Sequence, residues 1–206
     1  MYQTQPRSST LGPQVNTAGL LSQVLGITGV GFLITALAAY LFRGISPTAG
    51  LIAFIGAFAL IFVIQGVRRN PQVALLWFYA FTFLEGVGLA PTIQRYVQAF
   101  GPDVVVNAAA TTGVGMLTLG GIAFVALIAL VLVGVISLFT HWIHPTTYAW
   151  LTLGIFTLIT LIDFSRIRAG GGGATAVDLA LSIYLDALNI FIALLQIFGS
   201  RSSRED

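Results

Sequence analysis

Two aspartates stand inside apolar segments long enough to cross a membrane, and they are the residues of this chain best placed to do chemistry. Asp163 lies in LITLIDFSRIR, and Asp186 lies in LALSIYLDALNIFIALLQIF. A carboxylate in hydrocarbon costs several kcal/mol unless it is paired, protonated or hydrated. The whole chain has only 7 acidic residues, so these two are the first candidates for a functional site.

The last apolar segment carries a stripe of polar residues along one helical face. Asp178, Ser182, Asp186 and Asn189 follow one another at i, i+4, i+8 and i+11, and Gln196 continues the stripe. A helix in lipid must turn such a stripe towards other helices or towards water. The stripe therefore predicts a central position for this helix, with Asp178, Ser182 and Asn189 as candidates for a cation pathway. The alternative for Ser182 and Asn189 is ordinary hydrogen bonding across a helix interface.

Asp163 is placed to meet Asp186. The connection between their helices is short and rich in glycine, which predicts antiparallel neighbours, and the two aspartates should differ in depth by one to two turns. Two carboxylates in contact cannot both ionise cheaply, so they would titrate as a coupled proton switch. They could also bind Ca²⁺, which would need waters and carbonyls as well because it takes about 6–8 oxygen ligands. Alternatively, Asp163 forms only an ion pair with Arg166 at i+3.

Glu85, in FTFLEGVGLAPTI, is a third acid inside a membrane-length segment. Gly86, Gly88 and Pro91 around it indicate close helix packing or a local break that exposes carbonyls. Glu85 is therefore a candidate for the cation pathway, and the alternative is a hydrogen bond to a neighbouring helix.

The composition excludes most other classes of protein. The chain is 57% hydrophobic and 8% charged, against roughly 25% charged residues in soluble domains, and its mean hydropathy is +0.94. A net charge of +2 is too small to indicate nucleic-acid binding, and the absence of cysteine excludes thiolate chemistry and disulfides. No Walker, HExxH or GxSxG motif is present. We expect neither an enzyme nor a cofactor.

Arginine, glycine and proline mark the ends of the apolar spans. The predicted spans cover about 19–42, 47–67, 72–93, 146–167 and 175–198, and residues 104–139 lack a formal charge. We interpret that stretch as two short helices, about 104–118 and 121–140, joined at Gly120-Gly121. The prediction is an all-α polytopic protein in which seven transmembrane helices surround the C-terminal helix. A single long, kinked helix in 104–139 would give six spans.

One membrane domain, residues 19–199, is thus predicted between polar tails at 1–18 and 200–206. Seven spans would place five arginines on the N-terminal side and four on the other, which slightly favours a cytoplasmic N-terminus. The short loops and the use of arginine alone as the basic residue indicate the plasma membrane of a prokaryote.

The C-terminal third resembles the last two helices of the Bax inhibitor-1 family, the transmembrane Bax inhibitor motif proteins. The family pattern has D-x-x-R-I at the end of one helix, and Asp163, Arg166 and Ile167 match it. The next helix of the family reads A-L-x-L-Y-L-D-x-x-N-L-F-x-x-L-L-x-L-x-G. The residues that match it are Ala180, Leu181, Tyr184, Leu185, Asp186, Asn189, Phe191, Leu194, Leu195 and Gly199. FTFLEGVGLAPTI also resembles the third helix of the family, so the resemblance covers about Gly19 to Gly199.

The resemblance implies a seven-helix bundle in which Asp163 and Asp186 form a hydrogen-bonded, pH-sensing pair that controls a calcium leak. It also implies a latch between the first aspartate and an arginine of the second helix, for which Arg68 and Arg69 are the candidates. The partners would be the lipid bilayer, calcium ions and protons. The chain departs from the family at TLGGIAF, which replaces a polar, basic connection. The other functions considered are a proton-coupled transporter that uses the same carboxylates and a non-conducting interaction protein.

Overall fold

The computed structural model describes residues 17–116 and 145–202, and these residues form six α-helices and one short 3-10 turn, with no strand among them. The elements are α1 (Thr17–Leu41), α2 (Pro47–Val67), α3 (Pro71–Phe100), α4 (Asp103–Met116), α5 (Pro145–Arg168), η1 (Gly171–Gly173) and α6 (Ala176–Ser202). Five of the six described α-helices, all but α4, are long and apolar enough to cross a membrane. The predicted all-α membrane protein with several spans is therefore confirmed.

Short polar residues followed by proline fix where α2 and α3 begin. The Ser46 hydroxyl accepts a hydrogen bond from the Ala49 amide at 3.2 Å. The Asn70 side-chain oxygen accepts one from the Val73 amide at 3.4 Å. The proline that follows each cap suits the first helical position, where no amide hydrogen is needed. The predicted span 47–67 coincides with α2.

The third span, predicted over about 72–93 with a stop at Gly101-Pro102-Asp103, lies within a longer helix, because α3 continues through Pro91 to Phe100 and ends at the Gly101 cap. The proline packs against α2 at Gly50, where an added Cβ would lie 2.8 Å from the Pro91 Cγ. A membrane helix tolerates an internal proline when its neighbours support the local backbone. Of the two interpretations of the glycines and proline around Glu85, close packing is the one that the structure bears out.

The C-terminal helix α6 lies at the centre, as predicted. Within the most apolar window of each helix, 61% of α6 is buried and 17% of α2. Helices α1, α3, α4 and α5 all pack against α6, whereas α2 packs chiefly against α3. Large apolar side chains on the outer helices are exposed, for example Leu33 at 72% and Phe62 at 66%. Such surfaces suit contact with lipid rather than with water.

The seven-helix count itself stays a prediction. Helix α4 covers Asp103–Met116 and agrees with the first of the two short helices expected there. The second predicted helix and the Gly120-Gly121 turn lie outside the described residues.

Candidate functional site

A turn of four glycines reverses the chain between α5 and α6. Residues 170–173 have φ angles of 88°, 78°, 56° and 82°, a region that glycine adopts freely and other residues rarely do. The turn makes α5 and α6 antiparallel neighbours, in agreement with the prediction. It therefore fixes which residues of the two helices face each other.

A capping box opens α6. The Thr175 amide donates to Asp178 Oδ2 at 3.0 Å, and the Asp178 amide donates to the Thr175 hydroxyl at 3.1 Å. Asp178, predicted as part of a cation pathway, thus has a structural role at the helix start. Its other carboxylate oxygen, Oδ1, is buried without a hydrogen-bond partner among the described residues.

Beyond the cap, α5 and α6 bring four polar side chains together in two facing pairs, which we call the polar ladder. Asp163 of α5 interacts with the Ser182 hydroxyl of α6. One turn deeper, Thr160 of α5 interacts with Asp186 of α6. Asp163 is half-buried, whereas Asp186 is only 4% exposed. The sequence predicted the two aspartates of the ladder and Ser182, but not Thr160.

The charges of Asp163 and Asp186 are close enough to interact. Asp186 lies ten residues into α6 and Asp163 lies five residues before the end of α5. At about 1.5 Å per residue these positions are ~15 Å and ~8 Å from their helix ends, and the difference of about 7 Å is between one and two turns. The contacts of the described residues include no direct hydrogen bond between the two carboxyl groups, and Asp186 Oδ2 has no partner there. The hydrogen-bonded pair therefore stays a prediction.

Thr160 adds chemistry that the sequence reasoning missed, although its position three residues before Asp163, on the same helical face, was an available signal. Its hydroxyl donates to the Phe156 carbonyl at 2.8 Å. A hydroxyl has one hydrogen, so while this bond lasts the Thr160 oxygen faces Asp186 as an acceptor. The Thr160 hydroxyl therefore has to release the Phe156 carbonyl before it can donate to the Asp186 carboxylate.

Three arginines line a cavity of about 520 Å³ at the glycine-turn end of the bundle. Arg68 and Arg69 come from the end of α2, and Arg166 comes from α5. Asp178 and Ser182 line the same cavity, which we call the arginine vestibule. The arginine whose charge acts on Asp163 is Arg166, as the sequence spacing predicted. Arg68 and Arg69, the candidates for the latch, lie in the same vestibule.

Glu85 is not part of the polar ladder. It is 4% exposed, its Oε2 lacks a partner among the described residues, and its charge acts on Tyr184. Tyr184 precedes Asp186 by two residues, so the two side chains point to different sides of α6. The Tyr184 hydroxyl lies 2.6 Å from the Thr35 hydroxyl. Glu85 therefore belongs to a separate polar cluster where α1, α3 and α6 meet.

Asn189, the third candidate on the stripe for a cation pathway, is occupied within its own helix. Its amide nitrogen donates to the Leu185 carbonyl at 2.8 Å. In the part of the chain that the structure describes, no three histidine, cysteine, aspartate or glutamate side chains converge on a metal-sized site. The ladder offers two carboxylates and two hydroxyls, which is at most six oxygens and so only the lower limit of the ~6–8 that calcium takes.

Comparison with known proteins places this arrangement in a family. The chain is 27% identical to the inner membrane protein YbhL of Escherichia coli K12, with 95% of this chain and 98% of the relative covered. It is 26% identical to an uncharacterized membrane protein of Vibrio cholerae, with 97% of each covered. It is also 30% identical to an uncharacterized protein of Helicobacter pylori, with 74% and 72% covered. The family profile described as "Inhibitor of apoptosis-promoting Bax1" matches residues 17–203, so the chain belongs to the Bax inhibitor-1 family.

Proposed function

We propose that this protein is a pH-sensitive calcium leak channel in the plasma membrane of a prokaryote, gated by Asp163 and Asp186. The observation that carries the proposal is the polar ladder, in which a carboxylate that is 4% exposed interacts with a second one on the neighbouring helix. Two such carboxylates cannot both be charged cheaply. With a proton on the pair, α5 and α6 stay together. When the pair loses its protons, the carboxylates repel each other and attract a cation.

The donor set suits a passing cation better than a resident one. Two carboxylates with the Ser182 and Thr160 hydroxyls provide four side-chain groups, and water would supply the other ligands that calcium needs. Ser182 lines the arginine vestibule and also interacts with Asp163. Water therefore has a path from the membrane surface to the first pair of the ladder.

Seven spans are the topology that best fits the ends of the described helices. Tyr96 near the end of α3, Pro145 at the start of α5 and Gly199 near the end of α6 line one cavity, so these three places lie at one end of the bundle. Helix α4 begins three residues after α3, at the same end. Two crossings between the start of α4 and the start of α5 would join these places, which supports the proposal of seven spans. A single kinked spanning helix would finish at the opposite end.

The test is calcium flux into proteoliposomes between about pH 5 and 9, with the wild type beside Asp163→Asn and Asp186→Asn. Asp103→Asn is the matched control, since it removes an exposed acid from the first turn of α4. We expect flux to follow one coupled titration, and both ladder variants to lose that pH dependence while the control keeps it. Flux no higher than in empty liposomes at every pH would eliminate the channel. Flux with unchanged pH dependence in either ladder variant would eliminate the gate.

Proton-coupled transport is the second candidate, and Glu85 is the observation that favours it. A proton relay needs several ionisable sites within the membrane, and Glu85 is a buried acid away from the ladder. The same liposomes with a pH-sensitive dye inside distinguish the two functions. Coupled exchange moves a fixed number of protons in the opposite direction for each calcium ion. A leak moves calcium without a fixed number of protons.

A further inference from the structure

The arginine vestibule concentrates positive charge from two helices that are far apart in sequence. Arg68 caps the C-terminus of α2 and Arg69 follows it, and Arg166 lies in the last turn of α5. All three line one cavity of about 520 Å³, and Asp178 is the acidic residue among its lining residues. One oxygen of Asp178 already accepts a hydrogen bond from the Thr175 amide. The vestibule thus has a positive balance.

Simple membrane anchoring accounts for part of this arrangement. Arginines at the end of a spanning helix commonly reach for the lipid headgroups, and positive charge there also complements the helix dipole. Either effect would explain Arg68 and Arg69 alone. Arg166 interacts with Asp163, but neither effect explains why all three guanidinium groups line one cavity. Even with Asp178 and Asp163 close by, three guanidinium groups leave a net positive charge, and a further anion between them would lower their mutual repulsion.

We propose that the arginine vestibule is a binding site for a phosphate-bearing anion. Guanidinium groups recognise phosphate oxygens through paired hydrogen bonds, and a planar fork from each of several arginines suits a tetrahedral anion. A basic cavity between membrane helices at the headgroup level is the kind of site that binds anionic lipid headgroups. The phosphate comes either from such a lipid or from a free phosphate in solution, and both have the same chemistry at the arginines.

The test uses the full chain in nanodiscs and follows thermal unfolding, because a ligand that binds the folded state raises the unfolding midpoint. One arm compares nanodiscs of phosphatidylcholine with nanodiscs that also contain phosphatidylglycerol. The other arm adds inorganic phosphate to the phosphatidylcholine nanodiscs, with potassium chloride at equal ionic strength as the reference. The variant is R68Q/R69Q. The matched control is R43Q/R95Q, which removes the same charge from the opposite end of the bundle.

We expect phosphatidylglycerol or inorganic phosphate to raise the midpoint of the wild type and of R43Q/R95Q. In R68Q/R69Q the affinity should fall by about tenfold for each arginine removed. A response to phosphatidylglycerol alone identifies a lipid headgroup as the source, and a response to inorganic phosphate identifies a free anion. If neither raises the wild-type midpoint above the chloride reference, or if R68Q/R69Q responds as strongly as the control, the site does not exist.

Discussion

Replacing Gly86 by alanine should separate α1 from α3. An added Cβ would lie 2.8 Å from the Ala38 Cβ and 2.9 Å from the Thr35 Cα, and it would also meet the Thr35 carbonyl oxygen. Two of these three atoms belong to the α1 backbone, which cannot rotate away. Gly29, on α1 itself, is the matched control, because nothing lies within 4 Å of its added Cβ.

The size of the effect follows from the distances. Ordinary contacts between carbon atoms lie at ~3.5–4.0 Å, so α1 must retreat by roughly 0.7 Å or more. A gap of about 0.5–1 Å forfeits a quarter to a half of the dispersion energy of the atoms that line it. Overpacking of this kind costs about 1–3 kcal/mol. Both variants gain helix propensity, up to ~1 kcal/mol over glycine, so the difference between them isolates the packing cost.

The assay is thermal unfolding of Gly86→Ala and Gly29→Ala in the same detergent. A difference of about 1–3 kcal/mol corresponds to roughly 2–12 °C in the unfolding midpoint for a chain of this length. We expect Gly86→Ala to unfold at the lower temperature. Equal midpoints would mean that α1 and α3 are not in close contact at this position, and the packing deduced around Glu85 would be wrong.

Three further predictions concern buried or capping hydroxyl groups, and the free energy of unfolding is the quantity measured in each. The double-mutant cycle of Tyr184→Phe and Thr35→Val should give a coupling of ~0.6–1.7 kcal/mol, because the two hydroxyls lie 2.6 Å apart in a buried site; zero coupling would contradict that bond. Thr160→Val should destabilise the protein by about 0.5–1.5 kcal/mol, whereas Thr152→Val, whose buried hydroxyl has no partner among the described residues, should be neutral or stabilising. Thr175→Val should cost about 1 kcal/mol through loss of the capping box, and an unchanged stability would show that the cap is dispensable.

Local signals in the sequence were sufficient for most of the fold. The second span was predicted at its observed limits because Pro47 marks its start and Arg68-Arg69 follow its apolar run. The predicted third span ran through Pro91 to about residue 93, and the structure shows how the proline is accommodated in α3, by a glycine on α2. Whether a membrane helix continues through an internal proline depends on the residue of the neighbouring helix that packs against it. The sequence around the proline does not identify that residue.

Only the part of the candidate site that follows from helix periodicity could be predicted from the sequence. The short glycine turn and the positions of Asp163 and Asp186 along their helices were enough to predict that the two aspartates lie near each other. The role of Thr160 and the separation of Glu85 from the ladder depend on how α3, α5 and α6 are rotated against one another. Side-chain packing between helices sets those rotations, so a single sequence read one helix at a time could not supply them.

A calcium ion that enters at the glycine-turn end would pass the positive arginine vestibule before it reaches the carboxylates of the polar ladder. The arginines should therefore lower the calcium flux through that end. A divalent cation about 8 Å from one guanidinium is disfavoured by ~1 kcal/mol in water. Removing Arg68 and Arg69 should therefore raise the local cation concentration about 30-fold at low salt. Screening over ~8 Å at physiological ionic strength reduces the gain to about threefold. Calcium flux in R68Q/R69Q should exceed that of the wild type by these factors, and the excess should shrink as salt is added. Equal flux at low salt would mean that calcium does not pass the vestibule, and the route to the ladder would have to begin elsewhere.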